Sequence, residues 1–247
     1  MIHVVVPLLN EEGGVSQFIE NLRGRLEALA CPARLIAVDD GSTDATADIC
    51  RQASSARLPI EVVSHPRNLG PGAAFRTGFL RVLDRGEAGD LMLTLEGDGT
   101  SDLSILPRML RRAREEGDLV VLASCYLYGG GIVGTDLHRV GLSHLANGLM
   151  KKTLGLSGLS TLSSFYRLYS LEAVRRMHER WGDAFIRSPG FECQVEILYR
   201  AARLRLPISE VPMVLDNSRR VGRSKMRILR TSLSYLRLSA LALRGKL

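Results

Sequence analysis

The feature that most constrains the fold is a regular alternation of short apolar segments and amphipathic stretches over the first half of the chain. The apolar segments begin about thirty residues apart, at 2–8, 33–38, 59–64, 91–95 and 119–124. A helix-like stretch follows each of the first four, and the one at 15–29 repeats its apolar side chains at helical spacing. Continuous apolar strands joined by single helices predict a mainly parallel sheet with helices on both faces. We therefore expect an α/β domain.

Beyond residue 125 the alternation is less regular. The sequence predicts a helix over 137–152, a strand over 163–170, a helix over 191–203 and a strand over 208–215. We expect these to continue one domain over 1–225, followed by an amphipathic helix over 226–247. A hydrophobic content of 45% with 24% charged residues excludes a disordered, collagenous or disulfide-scaffold protein. No apolar run reaches the roughly 18 residues that span a bilayer, and the start lacks the pattern of a signal peptide.

Polar residues and glycines follow four successive predicted strands, at the point where each strand ends. The four motifs are Pro7-Leu8-Leu9-Asn10-Glu11, Asp39-Asp40-Gly41-Ser42, Asn68-Leu69-Gly70-Pro71-Gly72 and Glu96-Gly97-Asp98-Gly99. Ligands of open parallel sheets bind beyond the carboxyl ends of the strands. The sequence therefore predicts a ligand site at this edge.

The fourth motif is suited to a divalent metal ion. Glu96 and Asp98 are separated by one small residue, so both carboxylates can face one Mg²⁺ or Mn²⁺ that also binds substrate phosphates. The ordinary alternative is a helix cap, in which Thr100 or Asp102 begins the helix near residue 103. The three neighbouring polar motifs favour the metal site.

The second and third motifs have both an ordinary and a functional interpretation. Ser42 or Thr43 is expected to cap the helix near residue 44, whereas Asp39 and Asp40 are suited to the N–H groups of a base or the hydroxyls of a ribose. The segment 68–72 opens a helix, so its backbone amides are predicted to approach a diphosphate. It fits neither the P-loop pattern nor the dinucleotide fingerprint.

The four motifs, in this order and spacing, resemble those of family 2 glycosyltransferases of the GT-A fold, inverting enzymes that use nucleotide-diphosphate sugars. Five later motifs resemble the dolichol-phosphate mannosyltransferase branch of that family. They are Arg139-x-x-x-Ser143-x-x-x-Asn147, the run from Ser163 to Tyr169, Gln194-x-Glu196, Glu210-Val211-Pro212 and Arg219-x-x-Gly222-x-Ser224-Lys225. The resemblance covers about residues 2–226 and implies a Rossmann-like, mainly parallel GT-A sheet flanked by helices.

The resemblance also implies roles for individual residues. The nucleotide is expected to bind at Pro7, Glu11, Asp39 and Asp40, with Asn68 and Gly70 supporting that side. The metal is expected at Glu96 and Asp98. The phosphates of donor and acceptor are expected to contact Arg139, Arg167, Arg219 and Lys225. Two positions depart from the family pattern. The acidic motif is Glu-Gly-Asp where Asp-Ala-Asp is usual, and Thr161 stands about where an Asp is common, which leaves the usual sugar preference open.

The chemistry implied by the resemblance agrees with these residue types. Cationic side chains and a metal offset the repulsion between two phosphate groups, and arginine binds phosphate through two N–H groups. A phosphate monoester acceptor is largely ionised at neutral pH, since its second pKa is about 6, and it needs no general base. A hydroxyl acceptor would instead need a carboxylate near Asp98 as base. The five histidines have no metal-ligand spacing, and the four cysteines form no CxxC pair, which favours reduced thiols.

The positive charge of the chain is concentrated at its end. Segment 216–247 carries nine basic residues and one acidic residue, which accounts for the whole net charge of +7. Such a segment requires a negatively charged partner. Within it, an apolar stripe at helical spacing comprises Met226, Leu229, Leu233, Leu236, Ala240 and Leu243, beside a basic ridge of Arg223, Arg230, Arg237 and Arg244.

This pattern is suited to a helix lying on an anionic membrane surface. The alternative is a terminal helix packed on the core with a solvated basic edge. Nucleic acid is not expected, because aromatic residues make up only 5% of the chain and Tyr235 is the one aromatic residue of the segment.

The resemblance, together with these residues, therefore implies a metal-dependent transferase that moves a hexose from a nucleotide-diphosphate sugar to polyprenyl phosphate. Mannose from GDP-mannose is the specific expectation. The alternatives are a UDP-sugar donor, a hydroxyl acceptor, or a non-catalytic nucleotide-sugar-binding protein. We expect a cytoplasmic protein, peripheral on the cytoplasmic face of a membrane.

Overall fold

The computed structural model describes residues 1–135, 147–148, 150–219, 228–245 and 247. Nine strands are described: β1 (Ile2–Leu8), β2 (Ala33–Asp39), β3 (Ile60–Ser64), β4 (Leu91–Thr94), β5 (Val120–Ser124), β6 (Gly131–Val133), β7 (Arg167–Ser170), β8 (Ile208–Pro212) and β9 (Val214–Asp216). The described α-helices with assigned bounds are α1 (Val15–Ala28), α2 (Thr46–Gln52), α3 (Pro71–Arg85), α4 (Leu106–Glu115), α5 (Leu171–Trp181), α6 (Cys193–Arg203) and α7 (Ile228–Leu243).

Seven strands form one sheet in the order β3-β2-β1-β4-β7-β5-β8. The neighbours β3, β2, β1 and β4 are parallel, as are β5 and β8, while β7 runs antiparallel between β4 and β5. Strands β6 and β9 form a separate parallel pair. The predicted mainly parallel α/β sheet is confirmed, and β7 is the one reversed strand among these seven.

Helices cover both faces of the sheet, which explains the uninterrupted apolar strands. Val5 of β1 packs on the face that carries Phe75 and Phe79 of α3. Val4 and Val6 face the opposite side, in the core cluster that includes residues of α1 and α4. Successive residues of a strand point to opposite faces, so a strand covered on both sides must be apolar at every position.

The elements after residue 125 differ from the sequence prediction in two places. The strand predicted over 163–170 begins only at Arg167, because residues 160–166 form an irregular segment. The strand predicted over 208–215 is divided into β8 and β9, which belong to different sheets. Most of the helix predicted over 137–152 lies outside the described residues.

Capping of the early helices is partly as predicted. Asp102 accepts a hydrogen bond from the Ser104 N–H at the 3₁₀ turn that precedes α4, so one predicted cap is confirmed. The cap predicted before α2 is wrong, because the helix begins at Thr46 with Ala45 at the capping position. Ser42 and Thr43 instead contact Asn10 in the loop after β1.

Candidate active site

The loops after β1 and β2 are joined by hydrogen bonds into one surface at the carboxyl edge. The Asp40 N–H donates to the Leu8 carbonyl at 2.8 Å, and the Glu11 N–H donates to the Thr46 hydroxyl at 2.7 Å. Asn10 has a φ of +50°, a conformation that Asn tolerates better than most residues. The structure thus brings Pro7, Glu11 and Asp39 to adjacent strand ends, since Pro7 and Asp39 lie within the β1–β2 pairing.

The two adjacent aspartates have different environments. One oxygen of Asp39 accepts from the Ser42 N–H at 3.1 Å, which shapes the turn after β2. The Asp40 carboxylate accepts from the backbone N–H groups of Leu69 and Gly70 at 2.9 and 2.8 Å. It also pairs with Nδ1 of His65 at 2.7 Å. Asp40 therefore fixes the loop before α3, and both its carboxylate oxygens are engaged by the protein itself.

The prediction that the amides before α3 cradle a diphosphate is wrong. Besides the two amides held by Asp40, the Gly72 N–H donates to the Pro189 carbonyl at 2.9 Å. A Cβ on Gly70 would overlap the Pro189 carbonyl oxygen. The glycines therefore admit another stretch of the chain, residues 186–190, rather than a ligand. Asn68 accepts from the Gly70 N–H at 3.0 Å and so also shapes this loop.

Residues 186–190 are held in place by a buried ion pair that the sequence prediction left without a role. Glu196, 1% exposed, accepts from the backbone N–H groups of Arg187 and Ser188 at 3.0 and 2.7 Å. Its other oxygen lies 2.7 Å from the guanidinium of Arg200, which is fully buried. Burial lowers the pKa of Arg200, and the adjacent Glu196 carboxylate acts in the opposite direction. The Gln194-x-Glu196 motif was the sequence signal from which a role for Glu196 could have been predicted.

The acidic motif follows β4 in a tight turn whose own hydroxyls orient the carboxylates. Ser101 donates to Glu96 at 2.8 Å, and Thr100 donates to Asp98 through its hydroxyl at 2.7 Å and its N–H at 3.1 Å. Both carboxylate residues are partly exposed. Hydrogen bonds from neighbouring groups commonly orient metal-ligating carboxylates.

Gly97 explains one departure from the family pattern. A Cβ at this position would overlap Cδ2 of Leu8 and lie 3.2 Å from Cγ1 of Val6. The side chains of β1 therefore occupy the space that an alanine at the centre of the motif would need. Glycine at the centre of the motif is therefore matched to the side chains of Leu8 and Val6.

The donor set of the acidic turn fits a hard divalent cation. Carboxylate oxygens are the ligands that Mg²⁺ and Mn²⁺ prefer, and a site with two of them leaves positions for substrate phosphates. In the described part of the chain, no group of three or more His, Cys, Asp or Glu side chains is arranged to hold a metal by itself. Glu96 and Asp98 are thus the residues that would hold a metal shared with the substrate.

Further acidic charge lies close to this turn. Burial raises the pKa of Cys125 to about 11, and the negative charges of Glu96 and Glu210 act in the same direction. Glu96, which follows β4, and Glu210 of β8 therefore both lie near the end of β5.

Arg219 lies beside the acidic turn. The Asp216 N–H donates to the Thr100 carbonyl at 3.3 Å, which brings the end of β9 against this turn. Arg219 is 63% exposed, and its Nε lies 3.2 Å from Asp216. A cleft of about 480 Å³ lies between α1 and residues 99–104, with Arg219 on its wall. Arg219 therefore lies on the wall of a cleft that is also lined by the turn following Asp98.

Arg167 does not reach the cleft, so its predicted contact with a phosphate is wrong in this structure. The side chain is fully buried. Its guanidinium donates to the carbonyls of Ser164 and Leu162, each at 2.7 Å, and to that of Gln194 at 2.8 Å. Every guanidinium nitrogen is occupied by backbone, so Arg167 organises the chain around it. The predicted phosphate ligands Arg139 and Lys225 lie outside the described residues.

The irregular segment 160–166 lies at the same edge and is fixed from several sides. Glu210 accepts from the N–H groups of Ser160 and Thr161 at 2.7 and 2.8 Å, and Thr94 donates to the Phe165 carbonyl at 2.6 Å. The Asn147 amide donates to the Ser160 carbonyl at 2.6 Å. Thr161, where the family commonly has Asp, is only 1% exposed.

The C-terminal helix α7 has two different faces. Leu238 and Ser239 are buried against the body, where Leu238 joins the core cluster of Met150 and Leu154. Leu233, Leu236 and Leu243 are 67%, 56% and 70% exposed. Among the described residues, no helix has the length and apolar character needed to cross a membrane. The predicted apolar stripe is therefore exposed along its described part, and the opposite face packs on the core.

Residues 3–177 match the model of glycosyl transferase family 2, so the chain belongs to this family of enzymes. The chain is 31% identical over 225 residues to an undecaprenyl-phosphate mannosyltransferase of Micrococcus luteus, which covers 90% of this chain and 86% of the relative. It is 27% identical over 246 residues to a polyprenol monophosphomannose synthase of Mycolicibacterium smegmatis, covering 99% of this chain and 88% of the relative.

The fold is also found in a solved structure. Glucosyl-3-phosphoglycerate synthase from Mycobacterium tuberculosis, in complex with Mn²⁺ and UDP-glucose, superimposes with a TM-score of 0.65 at 20% identity. The match covers 99% of this chain and 79% of that one. The similarity confirms the predicted GT-A architecture of a mostly parallel sheet flanked by helices.

Proposed function

We propose that this enzyme transfers a hexose from a nucleotide-diphosphate sugar to polyprenyl phosphate, with inversion at the anomeric carbon. The observation that carries the proposal is the acidic turn of Glu96 and Asp98 beside the cationic Arg219, at the carboxyl edge of the sheet. The two relatives named for polyprenyl-phosphate mannosylation support the acceptor and favour mannose as the transferred sugar, and we propose GDP-mannose as its donor.

In this proposal the donor nucleotide binds at the joined loops after β1 and β2. Pro7, Glu11 and Asp39 contact it, since they lie at adjacent strand ends. Asp40, Asn68 and Gly70 act behind them by fixing the loop before α3. Glu96 and Asp98 would hold Mg²⁺ or Mn²⁺, which when bound neutralises charge on the diphosphate.

The acceptor phosphate supplies the nucleophile. One of its oxygens forms the new bond to the anomeric carbon, while the bond from that carbon to the donor diphosphate breaks and the nucleoside diphosphate leaves. The acceptor is already ionised near neutral pH, so no side chain has to remove a proton. Arg219, with Arg139 and Lys225 as further predicted cations, offsets the repulsion between the two phosphate groups.

The exposed stripe of α7 is suited to the surface of the membrane that contains the lipid acceptor. Leu233, Leu236 and Leu243 would enter the headgroup boundary, and Arg237 and Arg244, both exposed, would lie near lipid phosphates. We propose that the enzyme is peripheral on the cytoplasmic face of its membrane and that nucleic acid is not a partner.

A transfer assay tests the catalytic part of the proposal. The full chain is incubated with polyprenyl phosphate in detergent, Mg²⁺ or Mn²⁺, and either GDP-mannose or UDP-glucose. We expect product from GDP-mannose, and a loss of at least about 100-fold in the Asp98→Asn variant with an unchanged unfolding midpoint. Product only from UDP-glucose would overturn the donor assignment. Binding of donors without transfer to any acceptor would favour the non-catalytic alternative.

Flotation with vesicles containing anionic lipid tests the membrane contact. We expect the wild-type chain to float with these vesicles. Replacing Leu233 and Leu236 together by Ser should abolish this binding, because both side chains belong to the exposed stripe. Leu69→Ser is the matched control, since Leu69 is also exposed but lies before α3. Equal flotation of the wild-type chain, the double variant and Leu69→Ser would contradict the proposed contact between α7 and the membrane.

A further inference from the structure

His65, the residue after β3, contacts three separate parts of the molecule. Its backbone N–H donates to the carbonyl of Asp39, at the end of β2, at 2.8 Å. Nδ1 of its ring lies 2.7 Å from a carboxylate oxygen of Asp40, and Nε2 lies 2.9 Å from the hydroxyl of Thr77 in α3. The side chains of His65 and Asp40 are only 10% and 5% exposed, so water competes little for these contacts. His65 thus connects the turn after β2 to helix α3.

The partners of the imidazole fix the direction of its hydrogen bonds. The two oxygens of Asp40 accept from the backbone N–H groups of Leu69 and Gly70, so this carboxylate acts as an acceptor on both sides. A carboxylate that only accepts requires a proton on Nδ1 of His65. The hydroxyl of Thr77 both donates and accepts, so it is a partner for Nε2 in either protonation state of the ring. The imidazole therefore completes the set of donors around a nearly buried carboxylate.

Thr77 belongs to a part of α3 that is packed tightly against the sheet. Phe75 and Phe79, on either side of it in the chain, are fully buried. A Cβ on Gly78 would overlap Cγ1 of Val5 in β1, so the helix backbone lies directly on that strand. Thr77 is therefore held in a constant position relative to β1, and the hydrogen bond to Nε2 transfers this constraint to His65.

The contacts of His65 reach the loops at which the donor nucleotide is proposed to bind. Asp39, which accepts from the His65 N–H, is one of the proposed nucleotide contacts. Gly41 in the same turn has a φ of +74°, and a Cβ there would overlap the backbone of Arg67. The loop after β3 therefore lies directly on the turn after β2, and the pair of His65 and Asp40 holds the two together. Loss of this pair would allow the turn, and with it Asp39, to shift.

We propose that His65 is a positioning residue for the donor nucleotide, which holds the turn after β2 in place by linking Asp40 to Thr77 of α3. The inference rests on the proposed function, which assigns Asp39 to the donor. His65 acts through its neighbours, since both of its ring nitrogens are engaged by the protein. Its removal is expected to weaken the binding of the nucleotide and to leave the transfer step itself unchanged, because the proposed metal and phosphate ligands lie beyond β4.

The first test measures the loop directly and does not depend on activity. Hydrogen exchange of the Leu69 and Gly70 amides, which donate to Asp40, is compared in the wild-type chain and in His65→Ala. Both amides should exchange roughly three- to thirtyfold faster in the variant, because Asp40 loses one of its donors. His178→Ala is the matched control, since it removes a histidine of α5 whose Nε2 lies 2.8 Å from a carboxylate oxygen of Asp183. Unchanged exchange in His65→Ala would overturn the proposal.

The second test measures nucleotide affinity by calorimetry in the presence of Mn²⁺, with GDP and with UDP. We expect His65→Ala to raise the Kd of the nucleotide that the wild-type chain binds by roughly three- to thirtyfold, with His178→Ala unchanged. Thr77→Val keeps the shape of its side chain and removes only the contact with Nε2, and it should raise the Kd by roughly two- to fivefold. Wild-type affinity in both His65→Ala and Thr77→Val would overturn the proposal.

A pair of conservative variants tests the route through Asp40. The side-chain amide of asparagine places an N–H group near the position of Nδ1, whereas that of glutamine places one near the position of Nε2. His65→Asn should therefore recover most of the nucleotide affinity that His65→Ala loses, and His65→Gln should recover less. Equal losses in His65→Ala and His65→Asn would contradict the route through Asp40.

Transfer kinetics separate positioning from a role in the chemical step. With a short, water-soluble isoprenyl phosphate as acceptor, His65→Ala should raise the KM for the donor in parallel with the Kd and leave kcat within about twofold of wild type. A lower kcat at unchanged KM would contradict the proposal. A wild-type chain that binds neither GDP nor UDP would refute the proposed function, while exchange at Leu69 and Gly70 would still decide whether His65 holds the loop.

Discussion

Replacing Gly72 with Ala tests the packing of residues 186–190 on the start of α3. A Cβ at Gly72 would overlap the carbonyl oxygen of Ser188 and lie 2.9 Å from its carbonyl carbon and 3.0 Å from that of Pro189. All three atoms are backbone, so no flexible side chain can move aside. The segment would have to shift, and the hydrogen bond from the Gly72 N–H to the Pro189 carbonyl would lengthen from its 2.9 Å.

The expected cost follows from these contacts. Overpacking of this kind costs about 1–3 kcal/mol, and a weakened hydrogen bond adds about 0.5–1.5 kcal/mol. In a helix, alanine is more favourable than glycine by up to about 1 kcal/mol, which offsets part of this loss of stability. We therefore expect Gly72→Ala to lower the free energy of unfolding by about 1–3 kcal/mol, or roughly 2–10 °C in the unfolding midpoint.

Urea unfolding of the full chain measures this difference. Gly24→Ala is the matched control, because Gly24 lies within α1 and its added Cβ would meet no atom within 4 Å. That variant should gain about 0.5–1 kcal/mol. The same substitution is thus expected to change stability in opposite directions in two helices. A Gly72→Ala protein as stable as wild type would refute the packing of residues 186–190 on α3.

Three further predictions concern buried or partly buried charges. Hydrogen bonds from the amino terminus, Glu87 N–H and His3 outweigh the effect of burial and lower the pKa of Asp90 to about 2. The ionised form of Asp90 stabilises the fold above about pH 4, and the free energy of unfolding should fall by roughly 1–2 kcal/mol as the pH falls toward 2. Urea titrations should show that this pH dependence is reduced in Asp90→Asn. Arg167→Lys should cost about 2–4 kcal/mol in the same assay, since one ammonium cannot reach three separate carbonyls, and wild-type stability would contradict this. Glu210→Gln should speed hydrogen exchange at Ser160 and Thr161 by roughly fivefold or more, because an amide nitrogen replaces one accepting oxygen. Unchanged exchange would contradict the attachment of residues 160–161 to Glu210.

The sheet was predictable because its signal is local. The inner parallel strands β1, β2, β4 and β5 are buried on both faces, so each is recognisable as an apolar run without knowledge of its neighbours. The reversed β7 was not predictable in this way. Arg167 interrupts the apolar pattern, and only the contacts of its guanidinium with Leu162 and Gln194 explain why a charge is tolerated there.

The candidate site was predictable in position but not in the division of roles. The motifs place polar residues at strand ends, and the carboxyl edge brings them together as expected. Whether a polar group faces a ligand or the protein depends on contacts distant in sequence. Asp40 holds the loop at Leu69 and Gly70, and Gly72 admits Pro189, which lies more than a hundred residues away in the chain. Sequence spacing alone carries no signal for such pairs.

The central claim is that the acceptor is a phosphate monoester on a polyprenyl chain. The most direct measurement compares polyprenyl phosphate with the corresponding polyprenol, under identical detergent, donor and metal conditions, by mass spectrometry of the lipid product. The account predicts a polyprenyl phosphate that has gained one hexose and no product from the polyprenol, because no general base is required or assigned. Equal transfer to the polyprenol, or no lipid product with any nucleotide sugar, would contradict it.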